Sequence, residues 1–236
     1  MSPARITVHT LETGWVDDAR LAALRSTLDE AERAQADRFA FDADRRDYLV
    51  AHGLRRQLLG RALGVAPEAL RFAIDEPRGK PRLAWPEHTG IDFNLSHTHG
   101  LVACAWTAPQ PSAASVASVG VDCESAERPI DDELAEVFCN PAELAALRDQ
   151  AATRRVHVWV LKEALLKASG RGLELPLHEV HIGLDPARVL GVPARMGDAA
   201  DWQVEHWHPT SRHITALAWR STDGASPTVE HGHGLE

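Results

Sequence analysis

Cysteine is scarce in this chain, and long apolar segments are missing from it. The three cysteines, Cys104, Cys123 and Cys139, are odd in number and widely spaced, whereas disulfide frameworks and zinc sites favour paired spacings. No run of about 18 apolar residues occurs, which argues against a membrane-spanning helix. The first residues also lack the apolar segment of a secretory signal. We therefore expect reduced thiols in a cytoplasmic protein that has no membrane partner.

Basic residues are too few for a broad positive surface. Lys and Arg number 25 against 34 Asp and Glu, which gives a formal net charge of −9. Binding to nucleic acid depends on many phosphate contacts from basic side chains, so we expect no nucleic-acid partner. A local basic site for one phosphorylated small molecule is compatible with this balance. Apolar residues make up 44% of the chain, enough to bury a core.

The two halves of the chain contain similar segments on either side of a connector. Residues 107–120 are uncharged and rich in Ala, Ser and Pro, which is typical of a linker. Residues 101–106 resemble residues 214–219, and strong helical patterns at 44–63 and 154–169 share a Leu-rich spacing. We therefore predict an α+β protein of two similar α/β lobes, with a ligand cleft between them. The predicted boundaries are an N-terminal lobe at 1–107, a connector at 108–119, a C-terminal lobe at 120–222 and a flexible tail at 223–236.

Two acidic residues follow the connector on a predicted strand. Asp122 and Glu124 are two positions apart, so their side chains lie on one face of that strand. Adjacent carboxylates repel each other unless a cation or water separates them, and Mg²⁺ prefers oxygen ligands. The pair indicates a Mg²⁺ or Mn²⁺ site, and the alternative is two carboxylates on a hydrated strand face.

An acidic and a basic residue share one face of the later helix. Glu163 and Lys167 are four residues apart, the spacing of neighbours on a helix surface. One interpretation is an ordinary surface ion pair, which stabilises a protein very little. The other makes Glu163 a third metal ligand or a base, with Lys167 beside a phosphate oxygen.

Further polar residues fall in turns and on the first long helix. Ser96 and His97 belong to a predicted strand–turn–strand unit, and adjacent residues rarely reach each other as nucleophile and base. This argues against a catalytic triad and leaves a phosphate contact or a solvated turn. Lys80 lies in a Gly-Lys-Pro turn. Two basic pairs on the first long helix add cations: Arg45, Arg46, Arg55 and Arg56. Carboxylates and cations together favour a metal-assisted reaction on a phosphorylated substrate.

Five segments of the chain also resemble one enzyme family in their order. They are GKPRL at 79–83, FNLSHTHG at 93–100, GVDCE at 120–124, FCNPAEL at 138–144 and WVLKEALLKASGRGLELPL at 159–177. This order is similar to that of the 4′-phosphopantetheinyl transferases, in particular the two-lobed type that activates surfactin synthetase and related peptide synthetases. The WxxKEAxxK string, with GxDxE upstream of it, is the most specific part.

The resemblance implies a reaction and a set of roles. It implies two lobes arranged as a pseudo-dimer around coenzyme A, and Mg²⁺-dependent transfer of the phosphopantetheine arm to a serine of an apo acyl or peptidyl carrier protein, releasing 3′,5′-ADP. The implied metal ligands are Asp122, Glu124 and Glu163. Glu163 would also help to deprotonate the serine, and Lys167 would stabilise the leaving phosphate. The implied contacts of coenzyme A are Arg46, Arg56, Lys80, Ser96, His97 and Lys167. Glu143 corresponds to a further acidic position.

Two other interpretations stay open at this point. One is a different Mg²⁺-dependent enzyme acting on a nucleotide-like substrate, such as a phosphohydrolase. The other is a binding module that has lost catalysis, which the complete acidic and basic set argues against. Two lobes in one chain predict a monomer, because the cleft needs no second copy. Arg154 and Arg155 are candidates for contact with an acidic carrier.

Overall fold

One succession of secondary-structure elements occurs twice along the chain. The computed structural model describes residues 4–74, 79–108, 116–172, 175–221 and 226–234. The strands are β1 (Arg5–Glu12), β2 (Arg71–Ala73), β3 (Arg82–Trp85), β4 (Phe93–Thr98), β5 (Leu101–Thr107), β6 (Val116–Ser125), β7 (His181–Leu184), β8 (Ala187–Gly191), β9 (Trp202–Thr210), β10 (His213–Ser221) and β11 (Thr228–His233). The helices are α1 (Asp18–Ser26), α2 (Glu30–Ala36), α3 (Asp42–Leu63), α4 (Asp132–Phe138), α5 (Pro141–Leu147) and α6 (Thr153–Ser169).

The two repeats have the same sheet topology. In the first, β1 precedes α3, the short hairpin β2–β3 and the long hairpin β4–β5; in the second, β6 precedes α6, β7–β8 and β9–β10. The strand orders are β1-β5-β4 and β6-β10-β9, and the last strand of each repeat lies in the middle, antiparallel to both neighbours. The similar segments 101–106 and 214–219 are these two central strands. The predicted α+β fold of two similar lobes is confirmed.

The two long helices end where the sequence predicts. Gly64 follows α3 with φ +67° and Gly170 follows α6 with φ +70°, and both accept the left-handed conformation that terminates helices. The predicted ranges 44–63 and 154–169 begin within two residues of the observed helices. None of the helices in the described part of the chain is long and apolar enough to cross a bilayer.

Each sheet is buried on both faces, which explains its apolar central strand. In β5, Val102 and Cys104 belong to the core under α3, whereas Ala103 and Ala105 belong to a core shared by the two sheets. In β10, alternate residues likewise face α6 and the other sheet. A strand covered on both faces has no solvent side and therefore lacks polar alternation. The lobes thus pack sheet against sheet, each with its long helix outside.

The structure corrects two of the predicted boundaries. β6 begins at Val116, so residues 116–119 of the predicted connector belong to the first strand of the second lobe; residues 109–115 lie outside the described part. The predicted flexible tail contains β11, which pairs in parallel with β1. His231 of β11 also lies 3.2 Å from Glu205 of β9. This strand has little apolar alternation of its own, and pairing with β1 stabilises it.

The glycine of the GVDCE segment lets β6 approach α6. A Cβ atom at Gly120 would lie 2.1 Å from the Ala164 carbonyl oxygen and 2.3 Å from the Ala168 nitrogen, and backbone atoms cannot yield as a side chain can. We expect Gly120→Ala to lower the free energy of unfolding by about 3 kcal/mol or more, measured by urea denaturation. Gly14, where a Cβ would meet nothing within 4 Å, provides the matched control. Equal unfolding midpoints for the two variants would contradict the close approach.

Candidate active site

Polar side chains of β4 and of Asp92, the residue before it, hold β6 at the junction of the two lobes. The side chains of Asp92, Asn94 and Ser96 accept backbone N–H groups from every second residue over 119–123, at 2.7, 3.0 and 3.4 Å. Thr98 continues the row and donates to a side chain of β6 at 2.8 Å. We call these four β4-side residues the polar seam. They replace the carbonyl groups that a neighbouring strand would offer, and they fix the acidic end of β6 between the lobes.

Asp122 is buried at this junction and is bonded to both lobes. Its side chain, 9% exposed, accepts hydrogen bonds from the Ser96 hydroxyl at 2.9 Å and from the Lys167 ammonium at 2.6 Å. Lys167 also donates to Ser96 at 2.9 Å. Burial lowers the pKa of Lys167, but the attraction and hydrogen bond of Asp122 outweigh this and raise the pKa overall. Lys167 therefore stays protonated beside Asp122.

Ser96 positions two charged side chains of the site. Its hydroxyl interacts with Asp122, Lys167 and the Cys123 N–H, and the residue is 5% exposed. The hydroxyl is thus committed within the protein and positions two side chains of the site. The contact of Ser96 with coenzyme A stays a prediction.

Glu124 lies at the same end of β6 and has three donors. It accepts from the Thr98 hydroxyl and the Ser125 N–H, each at 2.8 Å, and from the Arg128 guanidinium. Burial raises the pKa of Glu124, but these donors outweigh it and lower the pKa overall. Cys123, between the two acids, packs into the core between the sheets, and burial raises its pKa to about 12. The predicted alternation of this strand is confirmed, and Cys123 is unsuited to be a nucleophile.

Glu163 reaches the site from α6, one turn before Lys167. Burial and the neighbouring Asp122 carboxylate raise its pKa, and this effect exceeds the attraction of Lys167 and Arg128. Within the part of the chain that the structure describes, Glu163 has no hydrogen bond or ion pair. A half-buried carboxylate without a partner is costly, so its place facing Asp122 indicates a function rather than a structural role.

The acidic side chains suit a divalent cation by their chemistry but are not gathered around one point. As the side chains stand, no group of three or more His, Cys, Asp or Glu among the described residues forms a metal site. Lys167 bonds to Asp122 and Arg128 bonds to Glu124. The donor chemistry nevertheless fits, since all three groups are carboxylates, the ligands that Mg²⁺ prefers. Burial and Asp122 raise the pKa of Glu163 although Lys167 and Arg128 lower it, so a further cation at this place would be attracted to the carboxylate.

A cavity between the lobes adjoins these residues. It has a volume of about 190 Å³, and its lining includes Lys80, Leu95, Lys167 and Gly170. The Lys80 ammonium bonds to Asp92 and donates to the Val119 carbonyl oxygen at 2.7 Å. Lys80 therefore lines the cavity, and its ammonium also links the Gly-Lys-Pro turn to β6.

His97 extends from β4 on the face opposite to Ser96. Burial lowers the pKa of His97, and the Lys167 ammonium lowers it further. The Asp47 carboxylate raises it by less, so the pKa is lowered overall. The imidazole therefore lies within the electrostatic reach of Lys167. Ser96 and His97 consequently act on different sides of their strand.

The structure excludes Arg56 from the ligand site. Its side chain has 0% exposure. The guanidinium donates to Glu32 at 2.7 Å, to Asp29 at 2.8 Å and to the carbonyl oxygens of Pro67 and Leu70. An arginine bonded in this way stabilises the N-terminal lobe. The predicted contact of Arg56 with coenzyme A is therefore wrong.

The other arginines of α3 also have partners within the lobe. Arg55 is buried, pairs with Glu32 and stacks on Phe72, with its guanidinium carbon 3.8 Å from the ring centroid. Arg46 donates to the carbonyl oxygens of Thr13 and Val16. The side chain of Arg46 is 30% exposed, so part of its guanidinium stays accessible.

Lys162 and Glu143 form a buried ion pair behind the site. Lys162 has 0% side-chain exposure and donates to Glu143 and to the Phe138 carbonyl oxygen, both at 2.6 Å. Glu143 also accepts the N–H groups of Asn140 and Ile182. Glu143, the acidic residue of the FCNPAEL segment, thus has a structural role: its hydrogen bonds connect α5, α6 and β7.

Arg154 and Arg155 are not free cations. They form ion pairs with Asp185 and Asp132, and Arg155 also donates to the Ile130 carbonyl oxygen at 2.8 Å. Acidic residues of this chain already balance both charges. This weakens the sequence-based expectation that they attract an acidic carrier.

Arg128 was not singled out from the sequence. It binds Glu124, and its guanidinium carbon lies 4.7 Å from the centroid of the Trp159 ring. The spacing Glu124–Arg128 is the only local signal, and it is common among surface residues. Asp92 and Thr98, which complete the polar seam, gave no signal beyond alternating with apolar residues.

Comparison with known proteins links the two halves of the chain to one family. Residues 118–218 match the family model described as the 4′-phosphopantetheinyl transferase superfamily. Residues 16–108 match the model described as 4′-phosphopantetheinyl transferase, N-terminal. The matched regions correspond to the second and the first lobe.

Individual relatives cover most of the chain. It is 34% identical over 208 residues to the 4′-phosphopantetheinyl transferase HetI of Nostoc sp., covering 85% of this chain and 82% of that protein. It is 30% identical to a phosphopantetheinyl transferase of Thraustochytrium sp., over 98% of this chain and 89% of the relative. Identity to the 4′-phosphopantetheinyl transferase Sfp of Bacillus subtilis is 30%, over 67% of each chain.

Proposed function

The chain belongs to the 4′-phosphopantetheinyl transferase superfamily, and from that premise we propose how its residues transfer a phosphopantetheine arm from coenzyme A to a carrier protein. A serine oxygen of the carrier forms a bond to the phosphorus that bears pantetheine. The pyrophosphate P–O bond to the nucleotide breaks, and 3′,5′-ADP leaves. The serine proton passes to a base, and the leaving phosphate oxygen needs a cation.

One observation carries this assignment of the site. Glu163 and Lys167 of α6 face Asp122 of β6, at the junction where the polar seam joins the lobes. Two carboxylates and an ammonium beside a cleft suit a substrate with a pyrophosphate. Transfer of a phosphoryl group depends on positioning and on stabilisation of charge more than on covalent chemistry by the enzyme. No covalent enzyme intermediate is needed.

Asp122, Glu124 and Glu163 are the proposed ligands of Mg²⁺. When bound, the ion neutralises charge on pyrophosphate oxygens and on the leaving group. The ammonium of Lys167 and the guanidinium of Arg128 now balance two of these carboxylates. Both cationic side chains would give way at least in part when the metal binds.

Glu163 is the proposed base for the serine proton. Its raised pKa, caused by burial and by Asp122, makes the carboxylate a stronger proton acceptor than an exposed glutamate. Lys167 stays protonated and supplies positive charge to the leaving phosphate oxygen.

Coenzyme A is proposed to lie in the cleft that contains the cavity beside Lys80. Lys80 and Lys167 line this cavity. The proposed polar contacts are these two side chains, His97, which lies within the electrostatic reach of Lys167, and the partly exposed Arg46. Lys80 would contact a phosphate while it remains bonded to the seam. We also propose that the protein acts in the cytoplasm as a monomer, because both lobes of one chain form the cleft.

A mass-shift assay tests the proposed function. The protein is incubated with coenzyme A, Mg²⁺ and a panel of apo carriers from fatty-acid, polyketide and peptide synthetases. A carrier should gain the mass of one phosphopantetheine arm, and an equal amount of 3′,5′-ADP should appear. Hydrolysis of coenzyme A without carrier modification would indicate a phosphohydrolase instead, and binding without turnover would indicate a non-catalytic module.

Replacement of Asp122 tests the metal assignment separately. Asp122→Asn keeps the shape and one acceptor oxygen, so the hydrogen bonds of Ser96 and Lys167 can persist. We expect the rate to fall at least about 10-fold, with the Mg²⁺ concentration at half-maximal rate shifted upward. Initial rates over a Mg²⁺ titration measure both changes. An unchanged metal response in a folded variant would contradict the assignment.

A further inference from the structure

Arg128 lies at the edge of the carboxylate group and is held from two sides. Its guanidinium bonds to Glu124 Oε2, while Thr98 and the Ser125 N–H occupy Glu124 Oε1. The other side of the guanidinium lies over the Trp159 ring, 4.7 Å from its centroid. Cation–π contact with tryptophan is the strongest of its kind. The arginine is therefore presented to Glu124 in a fixed position.

The tryptophan that supports Arg128 is itself fixed. Trp159 packs edge to face on Phe138, with ring centroids 5.2 Å apart. Trp159, Glu163 and Lys167 follow one another at intervals of four residues along α6, so they share one helix face. On this face, Trp159, which supports Arg128, lies in one row with the site residues Glu163 and Lys167.

The pair differs from the surface ion pairs elsewhere in the chain. Arg128 and Glu124 side chains are 34% and 15% exposed, whereas Asp132, bound by Arg155, is 86% exposed. A partly buried pair is less screened by salt and water. The charge of Arg128 also acts on Glu163, whose pKa it lowers against the larger effects of burial and Asp122. Arg128 thus faces two of the three proposed metal ligands.

We propose that Arg128 is a positioning residue that competes with the divalent cation for Glu124 and so sets the metal affinity of the site. Without metal, the guanidinium is the cation that holds Glu124 in place. When metal binds, Arg128 gives up Glu124 and remains on Trp159. The inference rests on the proposed function, because it takes Glu124 as a metal ligand.

Direct measurement of Mn²⁺ binding tests the competition without any turnover. Free Mn²⁺ is followed by electron paramagnetic resonance during titration of the full chain, without and with coenzyme A and with no carrier present. We expect Arg128→Gln to bind Mn²⁺ about three- to tenfold more tightly than the wild type. Arg155→Gln, which removes the same charge away from the site, should change the affinity less than about twofold. Circular dichroism checks that both variants are folded.

A double-mutant cycle separates competition for Glu124 from a general charge effect. In a Glu124→Gln background the competitor has lost its target, so adding Arg128→Gln should tighten Mn²⁺ binding by no more than about 1.5-fold, the part due to its charge on Glu163. The same tightening in both backgrounds would mean that Arg128 acts only through its charge, and the inference would be wrong.

The remaining outcomes distinguish the inference from its premise. Equal Mn²⁺ affinity for the wild type and Arg128→Gln would overturn the inference and leave the metal site intact. Absence of Mn²⁺ binding by the wild type, with and without coenzyme A, would overturn the proposed metal site and the inference together. Tightening that depends on Glu124 supports both.

Discussion

Replacing Glu163 by glutamine is expected to lower the turnover number about 10²- to 10⁴-fold, the usual contribution of a general base. Glutamine has nearly the same shape but accepts a proton far less readily. It also offers a poorer metal ligand, which adds to the loss. Coenzyme A affinity should change little, because the proposed phosphate contacts come from other side chains. Steady-state rates and calorimetric binding of coenzyme A measure the two quantities separately.

The stability of the same variant identifies the role of Glu163. This carboxylate has no hydrogen bond or ion pair among the described residues, and burial together with Asp122 raises its pKa. An acid whose pKa is higher in the folded state is destabilising when ionised at neutral pH. Glu163→Gln should therefore melt at the same temperature as the wild type or slightly above it.

A surface carboxylate provides the control for Glu163. Glu136 is exposed on α4, and Glu136→Gln should leave both rate and binding unchanged. Equal losses of turnover and of coenzyme A affinity in Glu163→Gln would count against its role as base. A marked drop in melting temperature would indicate a structural role instead.

Replacing Lys162 by methionine is expected to lower the free energy of unfolding by about 3–5 kcal/mol, the cost of leaving a buried charge without its partner. Lys162 is fully buried and donates to Glu143 and to the carbonyl oxygens of Phe138 and Leu177. Methionine fills the space but donates nothing. Urea denaturation followed by circular dichroism measures the loss.

A second substitution tests whether the ion pair causes this loss. Glu143→Gln removes the charge that Lys162→Met leaves unpaired. The amide oxygen of the glutamine can still accept the N–H group of Asn140 or of Ile182. The double variant should lose less than the sum of the two single losses. Additive losses would contradict the pairing.

Lys162 and Lys167 make a matched comparison within one helix. Lys167 is 29% exposed and Lys162 is 0% exposed. Lys167→Met should therefore unfold at a higher urea concentration than Lys162→Met, and it should lose most of its transferase activity. The two lysines of the WxxKEAxxK segment thus have separate roles, one in stability and one in the site.

Periodicity in the sequence predicts the elements that carry the site. The helical spacing of 154–169 predicts α6 and places Glu163 and Lys167 on one face, and both lie at the candidate site. Alternation around Asp122 and Glu124 predicts the strand and the inward direction of Cys123. These features depend only on neighbours within about one helical turn or two strand positions, so local sequence is sufficient for them.

The predictions that failed depend on distant partners. Arg56 has the positive charge that a phosphate contact needs. However, Asp29 at the N-cap of α2 and Glu32 within α2 bind it when α2 packs on α3. β11 becomes a strand because β1 offers it an edge. No local pattern reports such pairings.

The sequence by itself determined the two-lobed α+β class, the two long helices and which acidic and basic side chains share a face. Only the tertiary structure decided which of these charges are structural and which are available to a substrate. The physical reason is that periodicity fixes directions within an element, whereas hydrogen-bond partners come from elements distant in sequence. Asp122 bonds to a serine 26 positions before it and to a lysine 45 positions after it, and folding of both lobes brings the three together.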